Sequence, residues 1–411
     1  HPDFKGTPPT LPKREPLARL APVFDPARFQ SIVESLADPE LEGRAVGTPG
    51  AKRAAEWIAS RFQAAGLEPG GSDGTWFETW TEPGPLGPLT LRNVIAVLPG
   101  TRDDWNEQSV VIGAHYDHLG RGWPDVRAGQ EGQIHPGADD NASGVAVLLE
   151  VARLLTETHR PSRSIVFVAF DGEEWGLKGS KRYASRAGKL PAGGALAMVS
   201  LDAVGRLRGK KLLVLGTGTA TEWIHIARGI GFTTGVESTA VADDPGGSDQ
   251  VSFHAIGVPA VQLTSGAHAD YHRPSDTADK IDSGGMVAIA TWLREAILYL
   301  SEREEPLSST LSAGDGPGVP AAGGRRVSLG TVPDFADPGP GVRIESVLED
   351  SPAARAGLRG GDRLIKIDGV EIGDLRKFSE VLRQKSEGDT ITLVVERAGE
   401  TVEMSATLVA R

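Results

Sequence analysis

The sequence predicts an α/β chain whose mostly parallel, mixed central sheet is flanked by helices on both faces, followed by a small second domain. Three observations predict this. Apolar runs such as Ile165–Phe170 are continuous rather than alternating, so both faces of their sheet must be buried. Helical periodicities are interleaved with these runs, the order expected when parallel strands are joined by crossovers. Residues 306–325 are built of Pro, Gly, Ser and Ala with almost no large side chain. Such a stretch cannot bury enough surface to order itself and reads as a flexible linker, beyond which the texture changes.

Residues 1–24 are Pro-rich and polar and read as an irregular arm. A helix is expected from Asp25 as N-cap with Pro26 in its first turn, and Phe29, Ile32, Val33 and Leu36 form one apolar face. A second helix spans 50–65, with Ala54, Ile58, Phe62 and Ala65 in register and Gly66 as its stop. Strands are expected at 89–98, 109–114, 164–170, 195–201 and 211–216, and helices over Val145–Leu155 and Met286–Leu300. The first domain is therefore read as 25–305. Short strands and one helix carrying Leu375, Phe378 and Leu382 fill 326–411, the second domain.

A length of 411 residues fits two domains. The net charge of -12 argues against a nucleic-acid or anionic-membrane partner, since both need a basic footprint. No stretch reaches the roughly 20 apolar residues of a membrane span. There is no cysteine, which excludes disulfides, thiolate zinc sites and a cysteine nucleophile. The chain opens on His1 and a polar, Pro-rich segment. Read as a mature or trimmed N-terminus, it suggests an extracytoplasmic protein, secreted or periplasmic.

In open α/β sheets, ligands collect at the carboxyl ends of strands. Here SVVIGA runs into His115, Tyr116, Asp117 and His118, IVFVAF runs toward Glu173 and Glu174, and AMVSL runs into Asp202. A loop supplies GADDNASG at 137–144 just before a helix, and GAHADYHRPSDT at 266–277 supplies His268 and His272. Taken singly, a Glu pair is an ordinary solvated loop and an Asp pair before a helix an ordinary N-cap. Gathered at one sheet edge, so many acids need cations.

In order, HYD, DDNASG, EEWGLKGS, LD and YH resemble the motifs of the co-catalytic di-zinc aminopeptidases, the clan of bacterial leucyl aminopeptidases and glutamate carboxypeptidase II, over about residues 25–300. The resemblance implies the zinc-exopeptidase fold and two zinc ions per chain. His115 and Asp202 would hold one, Glu174 and His272 the other, and Asp140 would bridge them. Asp140 is chosen over Asp139 because the family's bridging aspartate stands three residues before the Ser of its SG pair, here Ser143. The resemblance makes Asp117 the carboxylate that orients the His115 imidazole. It makes Glu173 the general base that serves a metal-activated water, and Tyr271 a donor to the tetrahedral oxyanion. His118, His135, His254 and His268 are left as surface or supporting groups, with His118 the one closest to upsetting the scheme. Asp249 and Asp276 receive no role.

SPAARAGLRGGDRLIKIDGVEI at 351–372, followed by a helix, resembles a PDZ domain. That implies a carboxylate-receiving loop at Ser328, Leu329, Gly330 and Thr331 and a C-terminal peptide as ligand. The reading is thus a zinc aminopeptidase acting on peptides with a free N-terminus. Three alternatives stay open: a glutaminyl cyclase of the same fold, a carboxypeptidase-type member, and a non-catalytic protein that binds peptides through its PDZ domain.

Overall fold

The computed structural model describes residues 23–311 and 326–410, apart from 86, 106, 124–125, 128, 187–192, 245–246 and 338. The arm up to residue 22 and the linker from 312 to 325 lie outside the described residues.

Asp25 caps α1 (Pro26–Leu36) by accepting from the Ala27 N–H, and Thr48 caps α2 (Pro49–Ala64) by accepting from Ala51. β1 (Glu68–Pro69) and β2 (Phe77–Gly84) both lie antiparallel to β3 (Gly87–Leu98). There follow β4 (Gln108–His115), α3 (Gly144–Thr158), β5 (Ser164–Phe170), α4 (Lys178–Ser185) and β6 (Gly194–Leu201). β7 (Leu212–Leu215), α5 (Trp223–Thr234), β8 (Ser238–Val241), α6 (Gln250–His254), β9 (Ala260–Thr264) and α7 (Ser283–Glu302) complete the domain.

Along the sheet the strands are ordered β1-β3-β5-β4-β6-β9-β7-β8. The central four, β5, β4, β6 and β9, are parallel; β3 and β7 meet them antiparallel on either side. Burial explains the continuous apolar runs. Val110, Ile112 and Ala114 enter the large core beneath α1, α2, α3, α5 and α7, while Val111 joins Val166, Val168, Phe170 and Met198 on the face covered by α4 and α6. Because the four central strands point the same way, their carboxyl ends bring distant segments of sequence to one edge.

Two boundaries differ from the sequence reading. Phe24, placed in the arm, is buried against Phe29 with ring centroids 5.9 Å apart. Residues 306–311, read as the start of a flexible linker, are held on the first domain. Leu307 enters its core, the Glu222 carboxylate accepts from the Ser308 N–H and hydroxyl, and the Thr310 N–H donates to the Thr219 carbonyl. Small polar residues were sufficient here because Glu222 supplied the acceptor, a partner 86 residues away in sequence.

The second domain comprises β10 (Val327–Ser328), β11 (Thr331–Pro333), β12 (Val342–Val347), α8 (Pro352–Ala356), β13 (Arg363–Ile367), β14 (Val370–Glu371), α9 (Leu375–Arg383), β15 (Thr390–Arg397), β16 (Glu400–Thr407) and β17 (Val409–Ala410). Its sheet runs β11-β12-β13-β15-β16, and its core, which includes Leu329, Ile344, Leu364, Phe378, Leu382 and Leu393, shares no residue with the first.

Candidate metal centre

His115 ends β4, Asp202 follows β6, and Glu173 and Glu174 stand just beyond β5. The segment holding Asp139 and Asp140 precedes α3, and the loop after β9 carries His268, Tyr271 and His272. The structure brings these residues together. One oxygen of Asp140 lies 3.2 Å from His115 Nε2 and the other 3.1 Å from His272 Nε2. Asp202 Oδ1 is 3.6 Å from His115 Nε2, and Glu174 Oε2 is 3.2 Å from His272 Nε2.

These spacings suit zinc. Bonds of 2.0–2.1 Å in a tetrahedral shell separate neighbouring ligand atoms by about 3.3–3.4 Å. The field suits a cation as well. Burial alone would lower His115, yet the negative charges of Glu173, Asp140 and Asp202 hold it well above the usual histidine range. Burial would raise Glu174, but His272 and His118 hold its carboxyl down at about 2. Nitrogen and carboxylate donors without a thiolate are within zinc's range.

Asp140 and its neighbour Asp139 are sorted by hydrogen bonding. Asp139 turns away, accepting from the Gly205 N–H through Oδ1 and standing 3.0 Å from His268 Nε2 through Oδ2. Asp276, given no role from sequence, holds the segment in place. Its Oδ2 accepts the N–H groups of Asp139 and Asp140 at 2.9 and 3.1 Å, and its Oδ1 accepts from buried Arg206 at 2.8 Å. Asn141 then closes the turn into α3, donating to the Leu201 carbonyl and accepting from the Gly144 N–H.

Asp117 differs from its expected task. The His115 ring is oriented by the main-chain carbonyl of Asp117, 3.1 Å from Nδ1, whereas the Asp117 carboxylate is 3.8 Å away. That carboxylate instead accepts from the N–H groups of Glu173 and Glu174 at 3.1 and 3.3 Å. It thereby fixes the loop in which two neighbouring glutamates diverge. Glu174 reaches toward His272, and Glu173 lies with His115 and Asp202. Burial, and then the charges of Glu174, Asp202 and Asp249, push the Glu173 carboxyl well above its usual range.

None of the four histidines set aside from sequence is on the surface. His118 is buried with Nδ1 2.7 Å from Glu174 Oε1, His135 and His254 are buried, and His268 faces Asp139. Spacing along the chain could not reveal this for His118, His254 and His268, which face Glu174, Asp244 and Asp139 on other segments. Tyr271 is 38% exposed, its ring stacked on His272 at 3.9 Å.

Two buried side chains were given no role from sequence. Arg44 is fully buried, and its guanidinium donates to the carbonyls of Tyr116, Leu36, Pro136 and Gly137. It thus ties the segment after β4 to the segment before Asp139, and desolvation brings its pKa down to about 10. A lone Arg among small residues in LEGRAVGTPG was the available signal. Asp249 is fully buried, which pushes its carboxyl up to about 6.

In the second domain, Ser328, Leu329, Gly330 and Thr331 connect β10 to β11. Leu329 is buried, its carbonyl accepts from Ala353, and Gly330 adopts φ 79°.

Residues 93–297 match the model of peptidase family M28, and residues 324–408 match that of the PDZ domain. Aminopeptidase YwaD of Bacillus subtilis (strain 168) is 29% identical over 226 residues, 53% of this chain and 46% of that protein. A "Probable zinc metalloprotease" of Pyrenophora tritici-repentis is 34% identical over 164 residues, 38% of this chain and 35% of that protein. The chain spans about a third of the length of the Pyrenophora and Pyricularia relatives it matches. Among solved structures, a zinc aminopeptidase from Bacillus subtilis superposes with a TM-score of 0.56 at 19% identity, covering 72% of this chain and 98% of that one. A glutaminyl cyclase from Fimbriiglobus ruber does so with 0.56 at 23%, covering 68% and 99%. At these identities the likeness establishes the fold.

Proposed function

Since the chain belongs to peptidase family M28 through residues 93–297 and carries a PDZ domain at 324–408, we propose that it is a zinc aminopeptidase that removes N-terminal residues from peptides. The observation that carries this reading is Asp140 between His115 and His272 with one oxygen toward each. His115 and Asp202 would hold one zinc ion, Glu174 and His272 a second, and Asp140 both. Bound zinc supplies Lewis acidity toward a carbonyl oxygen and lowers the pKa of water.

The chain's own groups supply the rest. Asp117 holds the Glu173–Glu174 loop by both N–H groups, so Glu174 serves the centre while Glu173 stays beside it. A carboxyl raised by burial is suited to accept a proton from the attacking water and return it to the leaving amine. Tyr271, exposed at the rim and stacked on His272, is the donor to the oxyanion of the scissile carbonyl.

Zinc content and hydrolysis of aminoacyl nitroanilides, with and without a chelator, test this. Two zinc ions per chain and chelator-sensitive release of nitroaniline are expected. One zinc per chain with pyroglutamate formation from N-terminal glutamine would replace the reading with a cyclase.

A further inference from the structure

β7 runs antiparallel to β9, with Leu213 opposite Thr264. The residues that open β7 therefore lie at the same sheet edge as the carboxyl ends of β4, β5, β6 and β9, the edge that bears the metal centre. There Lys210 pairs with Glu345 of β12, so the second domain meets the first on its functional edge. Between them is a cavity of about 260 Å³, walled by Lys210, Ser265 and Ala267 on one side and by Asp334, Phe335 and Glu345 on the other. Ser265–Ala267 open the loop that continues in sequence into His268, Tyr271 and His272, so one wall of the cavity is built by the segment that carries two residues of the site.

The opposite wall leads to the PDZ domain's own open edge. Asp334 and Phe335 follow β11 in the chain. β11 is the outer strand of its sheet, paired with β12 on one side and with no strand on the other among the described residues. Such an edge accepts a peptide as an added strand, and a backbone loop at its end can take the terminal carboxylate. The loop Ser328–Thr331 stands at the start of β11, with Gly330 packed so closely that a Cβ there would come within 2.2 Å of Ser351 Cβ. A peptide with its carboxylate at that loop, lying along β11, must run antiparallel to it. Its N-terminal part leaves the strand at Pro333 and Asp334, at the mouth of the inter-domain cavity.

We propose that the PDZ domain holds a substrate peptide by its C-terminal carboxylate and feeds the N-terminus through this cavity to the metal centre. The favoured substrates are then peptides free at both ends and long enough to span from loop to centre. The proposal takes the reaction from the aminopeptidase reading, but the path of the peptide is independent of it. Capture at one end makes the second encounter intramolecular, so longer substrates gain while single-residue derivatives do not.

The test uses the full-length protein and a decapeptide, which extends to about 33–36 Å. The peptide carries an N-terminal benzoylphenylalanine, a reduced first peptide bond to prevent cleavage, and either a free C-terminal carboxylate or an amide. After irradiation, labelled residues are mapped by mass spectrometry. The free acid is expected to label residues within 93–297 at least about tenfold more than the amide. A cleavable version should show a matching fall in kcat/KM on amidation. Equal labelling by acid and amide, or labels confined to 324–408, overturns the proposal. A protein that hydrolyses no nitroanilide yet labels 93–297 only through the free acid would sink the aminopeptidase reading and uphold the path.

Discussion

In the first domain Asp117, Asp139, Asp140, Asp171, Asp249 and Asp276 are all buried, several within reach of one another, and the cations at hand are imidazoles, Arg44 and Arg206. In the second, Asp362 is the one buried carboxylate among the described residues. It is held by Arg397 through two parallel bonds at 2.7 and 2.6 Å, and by the Arg359 N–H. The PDZ domain completes its own charge balance, as a self-sufficient fold should. The peptidase domain does not. Its stability is therefore linked to whatever neutralises the cluster, whereas that of the PDZ domain is not.

Four experiments break or sharpen this contrast. The largest effect is expected at the centre itself. Asp140→Ala should lose both metal and turnover, while Glu173→Gln should keep its zinc and lose turnover by about 10²–10⁴. Zinc analysis beside nitroanilide kinetics separates the two, and near-normal rates in Glu173→Gln would remove the base from the scheme. Next is chelation. A ligand at 100–1,000 times its dissociation constant stabilises by about 2.7–4.1 kcal/mol. Stripping zinc should thus lower the melting transition of the first domain and leave that of the second in place, as followed by calorimetry.

Smaller again is the Asp362–Arg397 pair. Asp362→Ala should destabilise the PDZ domain by about 2 kcal/mol, the scale of hydrogen bonds to a charged group, with nitroanilide hydrolysis unchanged. Burial would raise the Asp362 carboxyl, but Arg397 and the Arg359 N–H hold it below the usual range. A depressed folded value means its contribution is complete above the unfolded pKa of about 3.9 and is lost as pH falls through the folded one. Acid unfolding of the PDZ domain should accordingly lose part of its pH dependence in Asp362→Asn.

The smallest effect is expected from removing residues 312–411, which should leave hydrolysis of nitroanilides largely intact because the two cores share no side chain. Cutting at 305 instead also removes Leu307 from the first core and the Ser308 bonds to Glu222. That shorter protein should melt lower than the one ending at 311. Equal melting temperatures would return 306–311 to the linker.

Much of this molecule was legible before its coordinates. The helix from Pro26 was written in its Asp-Pro start and its apolar spacing, and α2 in the register of Ala54, Ile58 and Phe62 and in Gly66. β4, β5 and β6 were plain because burial on both faces leaves few polar positions in them, whereas β9, a five-residue strand with Gln262 at its middle, was not read as a strand. His115, Glu174 and Asp202 were legible because each stands at or just beyond the end of a strand and parallel strands share an end, while Asp140 and His272 were carried by the family resemblance. The antiparallel β7 was legible as a strand but not as a direction, because direction depends on pairing. His118 and Asp276 gave no local sign of their positions, since both answer to partners 56 and 136–137 residues away.

The sequence by itself determined the element types, the division into two cores and the set of nitrogen and oxygen donors, because periodicity, capping and strand ends are local properties of the chain. Only the tertiary structure decided which oxygen of which aspartate faces which histidine, that a main-chain carbonyl rather than a carboxylate orients His115, and that Lys210 beside the first sheet meets Glu345 of the second domain. Those are matters of distance between segments far apart in the chain. The carbonyl of Asp117 is 3.1 Å from His115 Nδ1 and its carboxylate 3.8 Å, and no spacing along a sequence carries that information.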